Sequence, residues 1–375
     1  MRWLIALLLL ISVDGHSQHN WNNSDKKVEA SLVDENGDAY GVKHIGNKPR
    51  VSAMPYAYDI AEGNVSGHAS FRALGYNAGV ETPLEDITEY GGTIIQIATA
   101  TAMQIDGANA ADAGVAIYSE VSTGGSSTTL VDTDEDFTAG DIVVAGDCVI
   151  NDTQNDVGTV TSVAVTTLTF SGGYKGGATG ASGDSYRILD KSAGGNNIQL
   201  IEVNGLDGNY DEQSEFVITN GAGTTNLSNS YLRVNSFHAM FVGVAGNTAA
   251  DDILLEDQAT GAVTYNQITA GGNMSLQAYY TVPNGKVMFI TDWQAGATGS
   301  KAVKVLLRAT VDYNDRGLLP DLFLFQDVVS VQNSTNQTTF SAPIRVPAKA
   351  DVKVSATGEA ESEVATSFGF WIEDE

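Results

Sequence analysis

Ser275-Leu276-Gln277-Ala278-Tyr279-Tyr280-Thr281-Val282, followed across Pro283-Asn284-Gly285 by Lys286-Val287-Met288-Phe289-Ile290-Thr291-Asp292-Trp293, is the stretch that decides the fold class. Both runs are rich in β-branched and aromatic residues, have the length of one strand, and are bounded by turn residues. Neither repeats its apolar positions every three to four residues, as a helix would. The pattern continues to the C terminus at 302–310, 322–331, 338–346, 351–356 and 365–372. Pro283 and Pro347 stand where a strand must stop pairing. Towards the N terminus further strands are predicted at 93–98, 115–119, 198–203, 215–219, 231–235 and 238–244. The expected fold class is all-β, with antiparallel β-sandwich or jelly-roll-like domains. One short helix is predicted at 82–89, where Thr82 would cap, Pro83 would open the first turn and Glu85 completes a capping-box spacing.

Composition narrows the function. Nineteen Lys and Arg face 46 Asp and Glu, a formal charge of −27, so the chain lacks the cationic surface that grips nucleic acid by displacing counterions. Only 17% of residues are charged, against roughly 25% in an ordinary soluble domain. The polar surface is therefore built largely from Ser, Thr, Asn and Gln, with Asp. One cysteine, Cys148, excludes an intrachain disulfide framework and any all-cysteine metal site. Beyond the first residues no run is apolar enough to span a bilayer.

Texture divides the chain. Residues 1–17 contain the apolar run 4–11 and read as a secretory signal peptide or a misassigned start. Residues 18–69 form an N-terminal arm, 70–119 plus 191–269 a central β domain, and 270–375 a C-terminal β-sandwich. Residues 120–190 begin with Thr123-Gly124-Gly125-Ser126-Ser127 and contain Gly172-Gly173-Tyr174-Lys175-Gly176-Gly177 near their end. They read as a small inserted β-barrel-like module, with strands 113–118 and 198–203 becoming neighbours if it were cut out.

The search for chemistry returns mostly negatives. No G-x-S-x-G, H-E-x-x-H, P-loop or dinucleotide fingerprint is present, and no enzyme is expected. Asn284-Gly285-Lys286 reads as a hairpin turn. The five histidines share no i, i+4 spacing, and His238 reads as a strand histidine rather than a ligand. The densest acidic run, Asp132-Thr133-Asp134-Glu135-Asp136, offers a calcium ion the oxygens of Asp132, Asp134 and Asp136. Phe137, however, stands where a calcium loop needs its turn glycine, which favours a solvated loop. Trp293 and Trp371 fall in apolar strands and read as core. Tyr56, Tyr58 and Ile60 are large groups on an arm without a strand partner nearby in sequence, and are the candidate interface residues.

Several stretches together carry a resemblance: Pro55-Tyr56-Ala57-Tyr58-Asp59-Ile60, Phe71-Arg72-Ala73-Leu74-Gly75-Tyr76-Asn77, Gly205-Leu206-Asp207-Gly208-Asn209-Tyr210, Tyr231-Leu232-Arg233-Val234-Asn235, Tyr279-Tyr280-Thr281-Val282-Pro283-Asn284-Gly285-Lys286 and Ile344-Arg345-Val346-Pro347-Ala348-Lys349-Ala350-Asp351-Val352. From about Val28 onward the chain resembles β-rich virion structural proteins of tailed bacteriophages, of a kind common in marine viral sequence. Residues 120–190 separately resemble small β modules of phage fibre and baseplate proteins. The resemblance implies a virion location on the particle surface, as capsid decoration, head fibre or tail-fibre component. It brings no catalytic residues or cofactor. It implies as partners copies of the chain itself and other virion proteins, such as the major capsid or a tail protein; the strong negative charge also suits a cation-bridged encounter with host surface polysaccharide. The apolar start departs from that family, whose members assemble in the host cytoplasm. It leaves a second expectation, an exported, secreted or cell-surface β-sandwich adhesin or carbohydrate-binding module.

Overall fold

The computed structural model describes residues 44–45, 48–49 and 56–375, apart from 245, 311–321 and 360. The chain divides into two compact units, residues 1–55 and 56–375. In the first, His44–Ile45 and Lys48–Pro49 form a short antiparallel pair. The expectation for residues 1–17 lies outside the described residues, as does most of the arm.

The second unit is built from antiparallel sheets. At its C-terminal end two sheets face each other across one core. One has the strand order Ser334–Val346, Lys286–Thr298, Ser362–Asp374, Ala69–Val80. The other runs Tyr279–Thr281, Asp351–Gly358, Val303–Ala309, Leu324–Val331, with Glu85–Asp86 also pairing to Ser355 and Ala356. Alternation along each strand sends Val303, Val305 and Leu307 from one sheet, and Met288, Ile290, Phe368 and Phe370 from the other, into one buried cluster. Trp293 is buried in this cluster, as its strand position predicts, whereas Trp371, expected as core, lies outside it and stacks on Phe289 with ring centroids 5.3 Å apart. Gly75 is required by the packing, because a Cβ there would lie 2.5 Å from the Ala278 Cβ and 2.8 Å from the Ile87 carbonyl oxygen.

Three expectations are corrected in this region. Residues 82–89 are not helical: Glu85–Asp86 is a strand, and the Asp86 carboxylate is drawn inward to Arg308 (3.1 Å), Lys353 (2.9 Å) and Ser355 (2.6 Å). A buried ionic anchor outweighs a local capping pattern. Ala69–Val80 pairs with Ser362–Asp374, so residues expected in the central domain complete the C-terminal sandwich. Asn284-Gly285 is a turn, with Gly285 at φ +70°, but it passes the chain from one sheet to the other and closes no hairpin.

The central part is a second sandwich. Its three-stranded sheet is Glu212–Ile218, Ile198–Leu206, Arg233–Val242, and its four-stranded sheet is Thr224–Tyr231, Thr101–Gly107, Ile253–Asp257, Thr264–Ile268. Met103, Ile105, Ile201, Val203, Phe237 and Leu255 fill the space between them. Residues 93–98, expected as a strand, belong to no strand.

The inserted module is not barrel-like. It is an open seven-stranded sheet in the order Ala116–Val121, Ser185–Leu189, Cys148–Asn151, Asp156–Ala164, Thr167–Phe170, Thr129–Val131, Gly124–Ser126. Its first and last strands do not pair, and closure would require that they did. The apolar face is covered instead by the loop after Thr129–Val131, which lays Phe137 and Val143 into the cluster with Val149, Leu168 and Tyr186. The strand Ala116–Val121 belongs to the insert, not to the host strand Ile198–Leu206. The root of the insert is thus at Val115 and Asp190, joined by the bond from Asp190 N to Val115 O (3.3 Å). Cys148, Ile150, Val157 and Leu189 seat it on Leu200 and Phe241 of the central sandwich.

Candidate functional site

The two sides of the C-terminal sandwich have different fates. On one side lie the edge strands Ala69–Val80 and Tyr279–Thr281, and here the central sandwich docks. Arg233, at the start of a central strand, donates to Asp351 from Nε (3.1 Å) and Nη2 (3.3 Å), and from Nη1 to the carbonyls of Ile97 (2.7 Å) and Leu232 (2.8 Å). Asp351 also accepts from the hydroxyls of Tyr279 (2.7 Å) and Thr281. Burial, and then the Asp351 charge, push the Tyr279 phenol well above its ordinary pKa, so it remains a donor. Asn235 adds a reciprocal pair, its Nδ2 donating to Thr281 O (3.0 Å) and its Oδ1 accepting from Thr281 N (2.9 Å).

Beside this joint a cleft of about 630 Å³ opens where the insert, the central sandwich and the C-terminal sandwich meet. Its floor is aromatic. Phe71 stacks on Phe370 with ring centroids 5.7 Å apart, and Tyr280 lies 4.6 Å from Phe370. These rings are the end of the sandwich core, left open: Phe71 is 42% exposed while Tyr280 is 8% exposed. The walls are mostly amides and hydroxyls, with one carboxylate, Glu212. Asn204 Nδ2 donates to Ser236 Oγ (3.0 Å), and Asn155 Nδ2 donates to Ser214 Oγ (2.7 Å). Arg72 reaches the cleft but donates to Asp292 (2.7 Å) and Ser367 (2.8 Å), so its charge is already met. Tyr280 makes no hydrogen bond among the described residues through its hydroxyl. Burial, then the nearby Glu212 charge, hold that phenol above its ordinary pKa and hence protonated. A second cavity, of about 370 Å³, lies between the insert and the central sandwich, lined by Lys191, Met240 and Asn273 among others.

The residues singled out from sequence fall elsewhere. Tyr56–Ala61 is a short helix, not an extended arm, closed by bonds from Gly63 N to Ile60 O and from Asn64 N to Asp59 O (2.9 Å each); Ile60 is buried. Part of the acidic loop is committed to the fold. Asp132 accepts from Tyr186 OH (2.9 Å) and Asp134 N (3.1 Å), and Asp136 accepts from Thr138 N (3.0 Å) and Oγ1 (2.6 Å). Among the described residues no group of three or more His, Cys, Asp or Glu is placed to hold a metal ion. His238 lies in a strand with Nε2 3.1 Å from Glu202. The cleft itself went unseen in the sequence, although Phe71-Arg72-Ala73, Gly205-Leu206 and Tyr280 fall inside the stretches that carry the family resemblance.

Fold and site together define a multi-sheet, antiparallel all-β protein with an aromatic-floored cleft at the junction of its parts. No protein-family model and no curated protein sequence matches the chain. No helix among the described residues is long and apolar enough to cross a membrane.

Proposed function

We propose that the chain is a non-catalytic structural protein of a tailed-phage particle surface, a capsid decoration, head fibre or tail-fibre component. In this reading it acts by self-association and by docking on a major capsid or tail protein. One observation supports this above the rest, the open side of the C-terminal sandwich. Leu324–Val331 ends one sheet and Ser334–Val346 ends the other, and among the described residues no strand pairs with the outer edge of either. Two residues, Gln332 and Asn333, separate these strands, so both edges lie on the same side. Phe325 is 60% and Val328 41% exposed there. Long unpaired edges carrying apolar side chains template pairing with another chain; Pro343 and a register shift blunt part of Ser334–Val346, but Leu324–Val331 carries no proline, lysine or arginine. The strong negative charge keeps free copies apart until a complementary surface is met.

Sedimentation velocity tests the reading. The wild-type chain is expected to self-associate at micromolar concentration, and a Phe325→Lys/Val328→Lys variant to sediment as a monomer with its melting temperature lowered by no more than about 2–4 °C, since both positions are exposed and the loss is confined to the Lys304 contact with the Phe325 ring. A wild-type chain that stays monomeric, and does not co-sediment with particles, would move the exported adhesin ahead.

A further inference from the structure

We propose that the cleft between the three β bodies is a binding site for a neutral oligosaccharide. The inference does not depend on the docking proposal, because the cleft opens beside the strand Ala69–Val80, at the opposite edge of its sheet from Ser334–Val346.

The lining selects the ligand class by exclusion and by fit. An anionic ligand would enter a protein of net charge −27, past Glu212, to reach one guanidinium that Asp292 and Ser367 already hold. A metal ion finds a single carboxylate on the walls. A lipid or other wholly apolar ligand would strip water from Asn204, Ser214 and Ser236 without replacing their hydrogen bonds. A sugar ring suits both surfaces. Its C–H face is apolar and flat and lies on an aromatic ring, while its hydroxyl rim both donates and accepts, as amides and hydroxyls do. Phe71 offers such a ring at the mouth, backed by Phe370.

Tyr280 adds a polar group to that floor. The residue is more than nine-tenths buried and lines the cleft, and its hydroxyl, without a protein partner among the described residues, meets water. A sugar hydroxyl that displaces this water supplies the partner in its place. The cleft volume lies within the range of small-ligand sites and holds a short oligosaccharide rather than a single ring.

Saturation-transfer NMR and titration calorimetry with hexaoses of neutral gluco-, manno-, galacto- and xylo-configured series test the proposal. An alginate hexamer and an uncharged hexapeptide serve as comparison ligands. At least one neutral hexaose is expected to bind saturably, with a dissociation constant on the order of 1 mM or tighter. Tyr280→Phe, which keeps the ring and removes only the hydroxyl, should weaken that binding roughly tenfold. Phe71→Ala should weaken it at least as much, and Phe71→Tyr should retain it. Phe325→Lys, at the far edge of the sandwich, should leave it unchanged. Absence of saturable binding by every neutral hexaose would overturn the assignment. So would preference for the alginate hexamer or the peptide, or binding indifferent to both Tyr280→Phe and Phe71→Ala.

Discussion

Replacing Asp351 with alanine removes the carboxylate on which the joint between the two sandwiches converges. In the native chain that carboxylate is nearly dry and accepts from Arg233, Tyr279 and Thr281. Its loss leaves the guanidinium, 9% exposed, with only the carbonyls of Ile97 and Leu232 as acceptors, and leaves the Tyr279 hydroxyl without its acceptor, while Thr281 Oγ1 can still donate to the Tyr279 oxygen (2.7 Å). Breaking a buried ion pair by deleting one partner costs about 3–5 kcal/mol. The orphaned Tyr279 hydroxyl contributes to the same loss and does not add to it in full, since the groups form one network. At the entropy of unfolding expected for a unit of this size, the melting temperature should fall by about 5–8 °C. Asp351→Asn keeps an oxygen for Tyr279 and Thr281 but gives up the charge, and should lose about 1.5–3 kcal/mol. Adding Arg233→Met to Asp351→Ala removes the stranded cation, so the double variant should be more stable than the sum of the single changes predicts. Urea unfolding followed by circular dichroism measures all five proteins: the wild type, Asp351→Ala, Asp351→Asn, Arg233→Met and the double variant. A loss below about 1 kcal/mol for Asp351→Ala, or additive single changes, would refute the claim that this pair joins the halves.

Mild acid should stabilise the fold. Burial is the largest cause raising the carboxyl pKa values of Glu89, Asp112, Asp147 and Glu256. Raised groups bind protons in the folded chain that the unfolded chain has released. Their contribution is therefore fully present below the ordinary carboxylate value near 4 and is lost as pH rises through the folded values. Glu202 has the opposite sign: burial raises it, but the bond and charge of His238, together with the Asn204 bond and the Lys175 charge, outweigh burial and lower its pKa, so its contribution disappears as pH falls through that lowered value. The melting temperature should thus rise from pH ~7 to pH ~5 and fall in stronger acid; a steady fall from neutrality downward would contradict the assignments. Cys148 is buried where the insert meets its host, and burial, then Asp147, push its thiol up to about 12. Ellman's reagent should find it inert in the native chain, and rapid labelling would mean that the insert lifts readily from Leu200 and Phe241. Replacing Ala116 to Leu189 by a short Gly-Ser bridge should leave the host cooperatively folded but expose Phe241, increasing dye binding that Phe241→Ser reverses; loss of the cooperative transition would show that the host needs its insert.

Strand character was legible wherever alternation and turn chemistry agree, as in Lys286–Thr298 and Asp351–Gly358. Ala69–Val80 was missed because an edge strand with small and polar residues lacks the apolar density of a central strand, and its pairing with Ser362–Asp374 spans most of the chain. Residues 82–89 misled because capping is a local signal. What holds Asp86 is Arg308 and Lys353, far along the sequence. The insert was visible in its glycine-rich margins, but its open form was not, since closure depends on whether Ala116–Val121 and Gly124–Ser126 meet. The cleft was illegible for the same reason: Phe71, Asn155, Ser236 and Tyr280 share no local pattern, and only the meeting of three bodies brings them together.

The central claim is that this chain works as a docked part of a particle, and mass spectrometry of density-gradient-purified particles from the native source tests it most directly. The account predicts that the chain bands with the particles in many copies each, and that a Phe325→Lys/Val328→Lys version expressed alongside fails to band with them. Recovery of the chain only in the exported or cell-surface fraction, with residues 1–17 removed and no copy in the particle band, would contradict it.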